Sequence, residues 1–187
     1  MCSNPRLFAI MKKYLASILL LFTNIVAFAQ VKHTVTKSTV SFQIKNLGLN
    51  TNGSFGGFKG DIQFDPAHLD ASSITASVDV NAINTDNDTR DEHLKSDSFF
   101  DAATYPKITL KSTSFKHKSG NNYTGTFNLT LKDKTNPVEI PFSYTESGNT
   151  ASFKGSFKIK RTDYGVGGSS MVMGNDVTIT IEVATTK

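Results

Sequence analysis

Along most of this chain apolar and polar residues alternate one by one. In SITASVDVNAI, starting at Ser73, the residues Ile74, Ala76, Val78 and Val80 fall on one side and Ser73, Thr75, Ser77 and Asp79 on the other. In YTGTFNLTLK, Tyr123, Phe127, Leu129 and Leu131 oppose Thr124, Thr126, Asn128 and Thr130. Val138, Ile140, Phe142 and Tyr144 share a side, as do Phe153, Phe157 and Ile159, and then Val177, Ile179, Ile181 and Val183. Earlier come Val40, Phe42 and Ile44, then Ile62 and Phe64, while Ile108 and Leu110 mark a weaker segment. A strand points successive side chains to opposite faces, so each segment predicts a half-buried antiparallel strand. The pattern yields about eight of them, several set apart by turn signals, such as SGNN and ESGN. With no long amphipathic helix to cover an open sheet, the sheet must close on itself or fold into a sandwich. Closure also removes exposed edges. The expected fold is all-β: one eight-stranded antiparallel barrel, wide enough inside for one small ligand.

Period two fails in TDNDTRDEHLKSDSFFDAATYP, Thr85 to Pro106. Asp88 can act as an N-cap, acidic residues occupy the first turn and Lys95 follows, which predicts a short helical crossover near residues 87–103. Pro106 returns the chain to an extended conformation. A second irregular stretch, GVGGSSMVMGN from Gly165, reads as a lid or a plain loop.

Charge changes the picture only after the first 29 residues are set aside. Met11, the better start, is followed by Lys12, Lys13, an apolar run and the small-x-small ending Ala27-Phe28-Ala29. That is the pattern of a Sec-type signal peptide, residues 1–29, ahead of a single domain at 30–187, and it predicts a periplasmic or secreted protein. After cleavage the chain would not be an integral membrane protein. Removing Arg6, Lys12 and Lys13 leaves 17 basic against 16 acidic residues, so the basic balance belongs to the leader. It gives no support for nucleic-acid binding, which needs a clustered basic surface. Cys2 is also lost, so disulfides, thiol catalysis and cysteine-ligated metals are excluded.

The crossover carries a recognisable pattern: Thr85, Asn87, Arg90, Asp91, His93, Leu94, Ser96, Phe99, Phe100, Asp101, Tyr105 and Pro106 at fixed spacing. Together with GSFGGFKGDIQFDP from Gly53, KITLKSTSF from Lys107 and RTDYGV from Arg161, it resembles the YceI-like family of exported lipid-binding proteins. The chain departs from the family's habit at Lys37, Asn46 and Asp133. The resemblance implies a lipocalin-like barrel whose elongated cavity holds a polyisoprenoid or quinone-like chain. It implies no other cofactor.

Asp86, Asp88 and Asp91 lack the glycine and distal glutamate of a calcium loop, and Glu92 and His93 are adjacent, so a helix points them apart. No metal site and no catalytic residues are expected, since neither a nucleophile–base pair nor a tuned acid–base pair is evident. Arg90, Asp91 and His93 are read as pinning the crossover or touching a ligand's polar end, with Leu94, Phe99 and Phe100 plugging or lining the barrel end. His33, His68 and His117 are read as surface or turn residues. Periodicity alone does not separate a packed core from a cavity. If a cavity exists, its candidate walls are Phe42, Phe58, Phe64, Val78, Val80 and Leu110, with Phe127, Leu129, Phe142, Phe153, Phe157 and Ile179. The function expected is a non-enzymatic carrier of an isoprenoid or quinone-like lipid. The alternative is a filled-core barrel acting as a stress-response or protein-interaction module, and a homodimer is compatible with either. Each buried methylene is worth about 0.8 kcal/mol, whereas an exposed charge contact adds only about 1 kcal/mol, so a tail would dominate affinity.

Overall fold

The computed structural model describes residues 31–187, so the leader expected at 1–29 lies outside the described residues. The backbone forms β1 (Lys32–Asn46), β2 (Leu49–Phe55), β3 (Lys59–Gln63), β4 (Ser73–Asp79), β5 (Ile83–Asn84), α1 (Asp88–Lys95), β6 (Lys107–Ser119), β7 (Asn122–Leu131), β8 (Lys134–Ser147), β9 (Thr150–Lys160) and β10 (Met173–Thr186). β1 pairs with β2 over Val40–Asn46 and with β3 at Lys32 and His33, so β2 and β3 are one strand broken at residues 56–58. β5 likewise continues β4 beyond a single 3-10 turn, Val80–Ala82, because it pairs with β2 while β4 pairs with β3. Counted this way the sheet has eight positions, and pairing of β10 with β1 from Thr34–Thr186 to Asn46–Met173 closes it. The result is the closed antiparallel barrel that the alternation predicts.

The interior is built differently at its two ends. At one end Phe64, fully buried, is met edge-on by Phe115, Tyr123, Phe142 and Phe153 at ring separations of 5.4–5.7 Å. Edge-to-face packing of this kind fills space densely and fixes geometry. His33 completes this end. Instead of lying on the surface or in a turn, it is 2% exposed, with Nε2 3.0 Å from the Phe64 carbonyl and Nδ1 3.0 Å from Thr185 Oγ1. It shares its side with Val31 and Val35, but counted back from Val40, Phe42 and Ile44 it falls on the outer face; the shift in pairing between Val35 and Lys37 reverses the parity and brings it inward.

At the other end the crossover and the segment after β9 cover the barrel. α1 stops at Lys95 and the remainder of 87–103 is a set of turns. The cap is Asn87, one residue before the expected Asp88: its side chain accepts from the Arg90 N–H at 2.9 Å, leaving Asp88 inside the first turn. Beyond β9, a 3-10 turn (Arg161–Tyr164) ends at Gly165 in the left-handed region. Gly167, at φ +67°, donates to the Ser98 carbonyl at 3.1 Å. A Cβ there would stand 2.8 Å from the Phe99 ring and 3.0 Å from Arg161 Nη1, so only glycine lets these two covers meet.

Candidate functional site: a graded apolar interior

Between the two ends the strands leave space. A half-enclosed cavity of about 160 Å³ occupies the half of the barrel under α1. A single water needs roughly 10–15 Å³ on the same measure, so this is room for a sizeable ligand. A second cavity of about 70 Å³ lies deeper. The same depth order repeats strand by strand. On β4, Val78 lines the outer cavity, Ala76 both and Ile74 the inner; on β10, Ile179, Ile181 and Val183 follow that order. On β6, Ile108 lines the outer cavity and Leu110 both. At roughly 3.3 Å per residue, the wall from Val177 to Val183 is about 20 Å long.

The residues expected as walls distribute along this axis. Phe42, Val78, Leu129, Phe157 and Ile179 line the outer cavity, Phe127, Phe142 and Phe153 the inner, and Phe58 and Leu110 both. Phe64 and Val80, 0% and 1% exposed, lie outside both linings: Phe64 is the aromatic floor, and Val80 sits in the 3-10 turn with its N–H bonded to the Pro106 carbonyl. Sequence reasoning missed Phe55, Ile44, Val177, Leu131 and Arg161, all of which line the outer cavity. Phe55 was invisible because β2 (LNTNGSF) is polar; its ring bridges Phe42 at 5.3 Å and Phe100 of the crossover at 5.5 Å. Ile44, Val177 and Leu131 do carry the alternation, and their parity was the signal.

The polar groups around the outer cavity are spent on the wall itself. Asp91, 7% exposed, accepts from the Thr85 N–H at 3.0 Å and from Thr85 Oγ1 at 2.5 Å. Arg90 donates from Nε to Thr85 Oγ1 at 2.7 Å and from Nη2 to the Thr85 carbonyl at 2.6 Å. Arg90 and Asp91 thus pin α1 to the end of β5. His93 is exposed and packs on Phe99 at 4.8 Å, outside the lining. Arg161, 4% exposed, donates to the carbonyls of Gly174, Val166 and Gly168, each at 2.9 Å. Burial pushes its guanidinium below its ordinary value. What faces the cavity is therefore hydrocarbon and aromatic carbon. Around the β1–β2 tip, exposed Leu47 and Leu49 stand beside Met171 and Val172, the Leu47 N–H donating to the Val172 carbonyl at 2.8 Å.

Comparison with known proteins agrees with this architecture. A UPF0312 protein of Vibrio cholerae serotype O1 is 30% identical over 145 residues, 72% of this chain and 77% of that protein. A UPF0312 protein of Yersinia pestis is 34% identical over 134 residues, 68% of this chain and 69% of its own. The crystal structure of Burkholderia cenocepacia BcnA, 29% identical, superposes with a TM-score of 0.77 over 81% of this chain and 98% of its own. A polyisoprenoid binding domain from Saccharophagus degradans shares the fold alone, at 18% identity, a TM-score of 0.67, and coverage of 83% of this chain and 97% of its own. The YceI-like domain signature matches residues 32–185, a span running from the first strand of the closed barrel almost to the end of the last, and the chain belongs to the YceI-like domain family.

Proposed function

We propose that this chain is an exported, non-enzymatic carrier that holds a long isoprenoid or quinone-like lipid, its tail in the outer cavity. The observation that carries the proposal is a hollow half-barrel whose nearby guanidiniums are already bonded to backbone carbonyls, leaving a wall of apolar carbon. Such a wall rewards hydrocarbon and offers no group to activate a reacting bond. The leader pattern of residues 1–29 supports delivery to the periplasm, and the name of the Saccharophagus neighbour supports an isoprenoid class of cargo. The test is mass spectrometry of lipid extracted from protein purified from the periplasm, with titration of added polyprenyl lipids. A co-purifying isoprenoid and saturable binding are expected. Finding no lipid and no binding would overturn the proposal.

A further inference from the structure

The two cavities share four wall residues, Phe58, Ala76, Leu110 and Ile181, which lie along the side of the barrel formed by β10, the β2–β3 break, β4 and β6, where the outer and the inner space adjoin. Three of them lie on regular strands and are held by sheet pairing. Phe58 does not: it follows Gly56 and Gly57 in the break between β2 and β3. Its ring lies over Gly60, where an added Cβ would stand 3.0 Å from Cε1 and 3.2 Å from Cζ. Gly60 in turn is directly opposite Ala76 across the β3–β4 ladder. Two of the smallest side chains therefore face each other at the level of the partition, and the Phe58 ring occupies the room they leave.

We infer that the inner cavity is a second subsite, for the far end of a hydrocarbon chain, and that Phe58 is the partition that sets how long a chain the barrel accepts. This rests on the carrier reading of the outer cavity and adds a length limit to it. Beyond Phe58 the inner space is lined by Ile62, Ile74, Phe127, Ile140 and Phe153 among others, and the packed rings around Phe64 end it. A chain entering from the α1 end gains contact with each further carbon until it reaches the Phe58 ring, and stops gaining there. Removing the ring joins the two spaces and moves the limit toward the aromatic floor.

The experiment titrates delipidated protein with prenyl alcohols of rising length, farnesol, geranylgeraniol and solanesol, comparing the natural chain with Phe58→Ala and with the milder Phe58→Leu. In the natural protein affinity should rise and then level off with length. In Phe58→Ala the plateau should move to a longer alcohol, with about tenfold tighter binding of that alcohol, the worth of roughly two more buried methylenes. Phe58→Leu should fall between, so the comparison survives if the alanine variant folds poorly. Adding Ile74→Phe to either variant should refill the inner space and restore the natural plateau. Unchanged length dependence in folded Phe58 variants, with the natural protein binding normally, would overturn the partition and leave the carrier reading standing. Failure of the natural protein to bind any of the three alcohols would instead overturn the carrier reading, and the partition with it.

Discussion

Buried His33 shows how one residue's chemistry follows from its partners. The Phe64 carbonyl can only accept, so Nε2 carries the proton, and in the neutral ring Nδ1 accepts from Thr185 Oγ1. Burial lowers the His33 pKa below its ordinary 6.5; the Phe64 hydrogen bond opposes that, Lys187 reinforces it and Glu146 opposes it. The unfolded chain therefore binds the proton more readily than the native one, and stability falls as pH drops below about 6.5 toward the native value. Glu146 behaves oppositely in origin. Lys187 and the Tyr144 hydroxyl hold its carboxylate below its ordinary 4.5, so its contribution is lost only at more acid pH. Urea midpoints between pH 7 and pH 5 should show the natural protein losing stability, and His33→Gln, which cannot take up a proton there, losing less. Parallel curves for the two would refute the assignment. His33 shares local parity with Val31 and Val35, but the shift in pairing with β10 between Val35 and Lys37 reverses that parity relative to Val40, Phe42 and Ile44, and the alternation alone does not announce the shift.

At the scale of elements, α1 is eight residues of mainly polar sequence with one buried residue, Asp91, so little apolar burial holds it in place. Isolated helices this short are marginal in water. Its stability comes from its ends and from Asp91. Asn87→Ala removes the acceptor for the Arg90 N–H and should cost about 1 kcal/mol. Asp91→Ala removes a charged acceptor used by both the Thr85 N–H and Oγ1, stranding a buried donor, and should cost about 2–3 kcal/mol. Both are read from urea midpoints, and Asp91→Ala should also speed hydrogen exchange across 85–103 while leaving the strands protected. Equal costs for the two would show that Asp91 acts only as a surface charge. The sequence carried the existence of this helix through the lapse of period two, and its start to within one residue. It did not carry the reason Asp91 is buried, because the fold back onto Thr85 depends on where β5 pairs with β2.

For the whole molecule, the same alternating code builds both a floor and a hollow, and what separates them is whether the rings meet one another across strands. Phe115, Tyr123, Phe142, Tyr144 and Phe153 all pack on Phe64 at one end, whereas Phe42, Phe55, Phe58 and Phe157 at the other share the wall with Val78, Ile108, Leu129, Val177 and Ile179 around open space. One-dimensional periodicity records which side a residue faces, and not what it meets across the barrel. That is why closure and the wall were legible in the chain while the division between packed and empty was not. The division has an energetic signature. Truncating a side chain in a tight core loses its transfer energy and leaves a new cavity, about 3–5 kcal/mol for Phe→Ala. A wall residue that already borders empty space has fewer partners to lose. Phe64→Ala should therefore fall in or above that range, whereas Phe157→Ala, in the outer wall, should cost clearly less in delipidated protein despite a similar burial of 7% against 0%. Saturating the protein with a polyprenyl alcohol should raise the urea midpoint of the natural chain and of Phe64→Ala alike, since ligand bound to the native state alone stabilises it by mass action. It should raise that of Phe157→Ala by less, because part of the ligand's wall is gone. Equal costs for the two truncations, with equal ligand-induced shifts, would mean that the outer half of the barrel is as closely packed in solution as its floor.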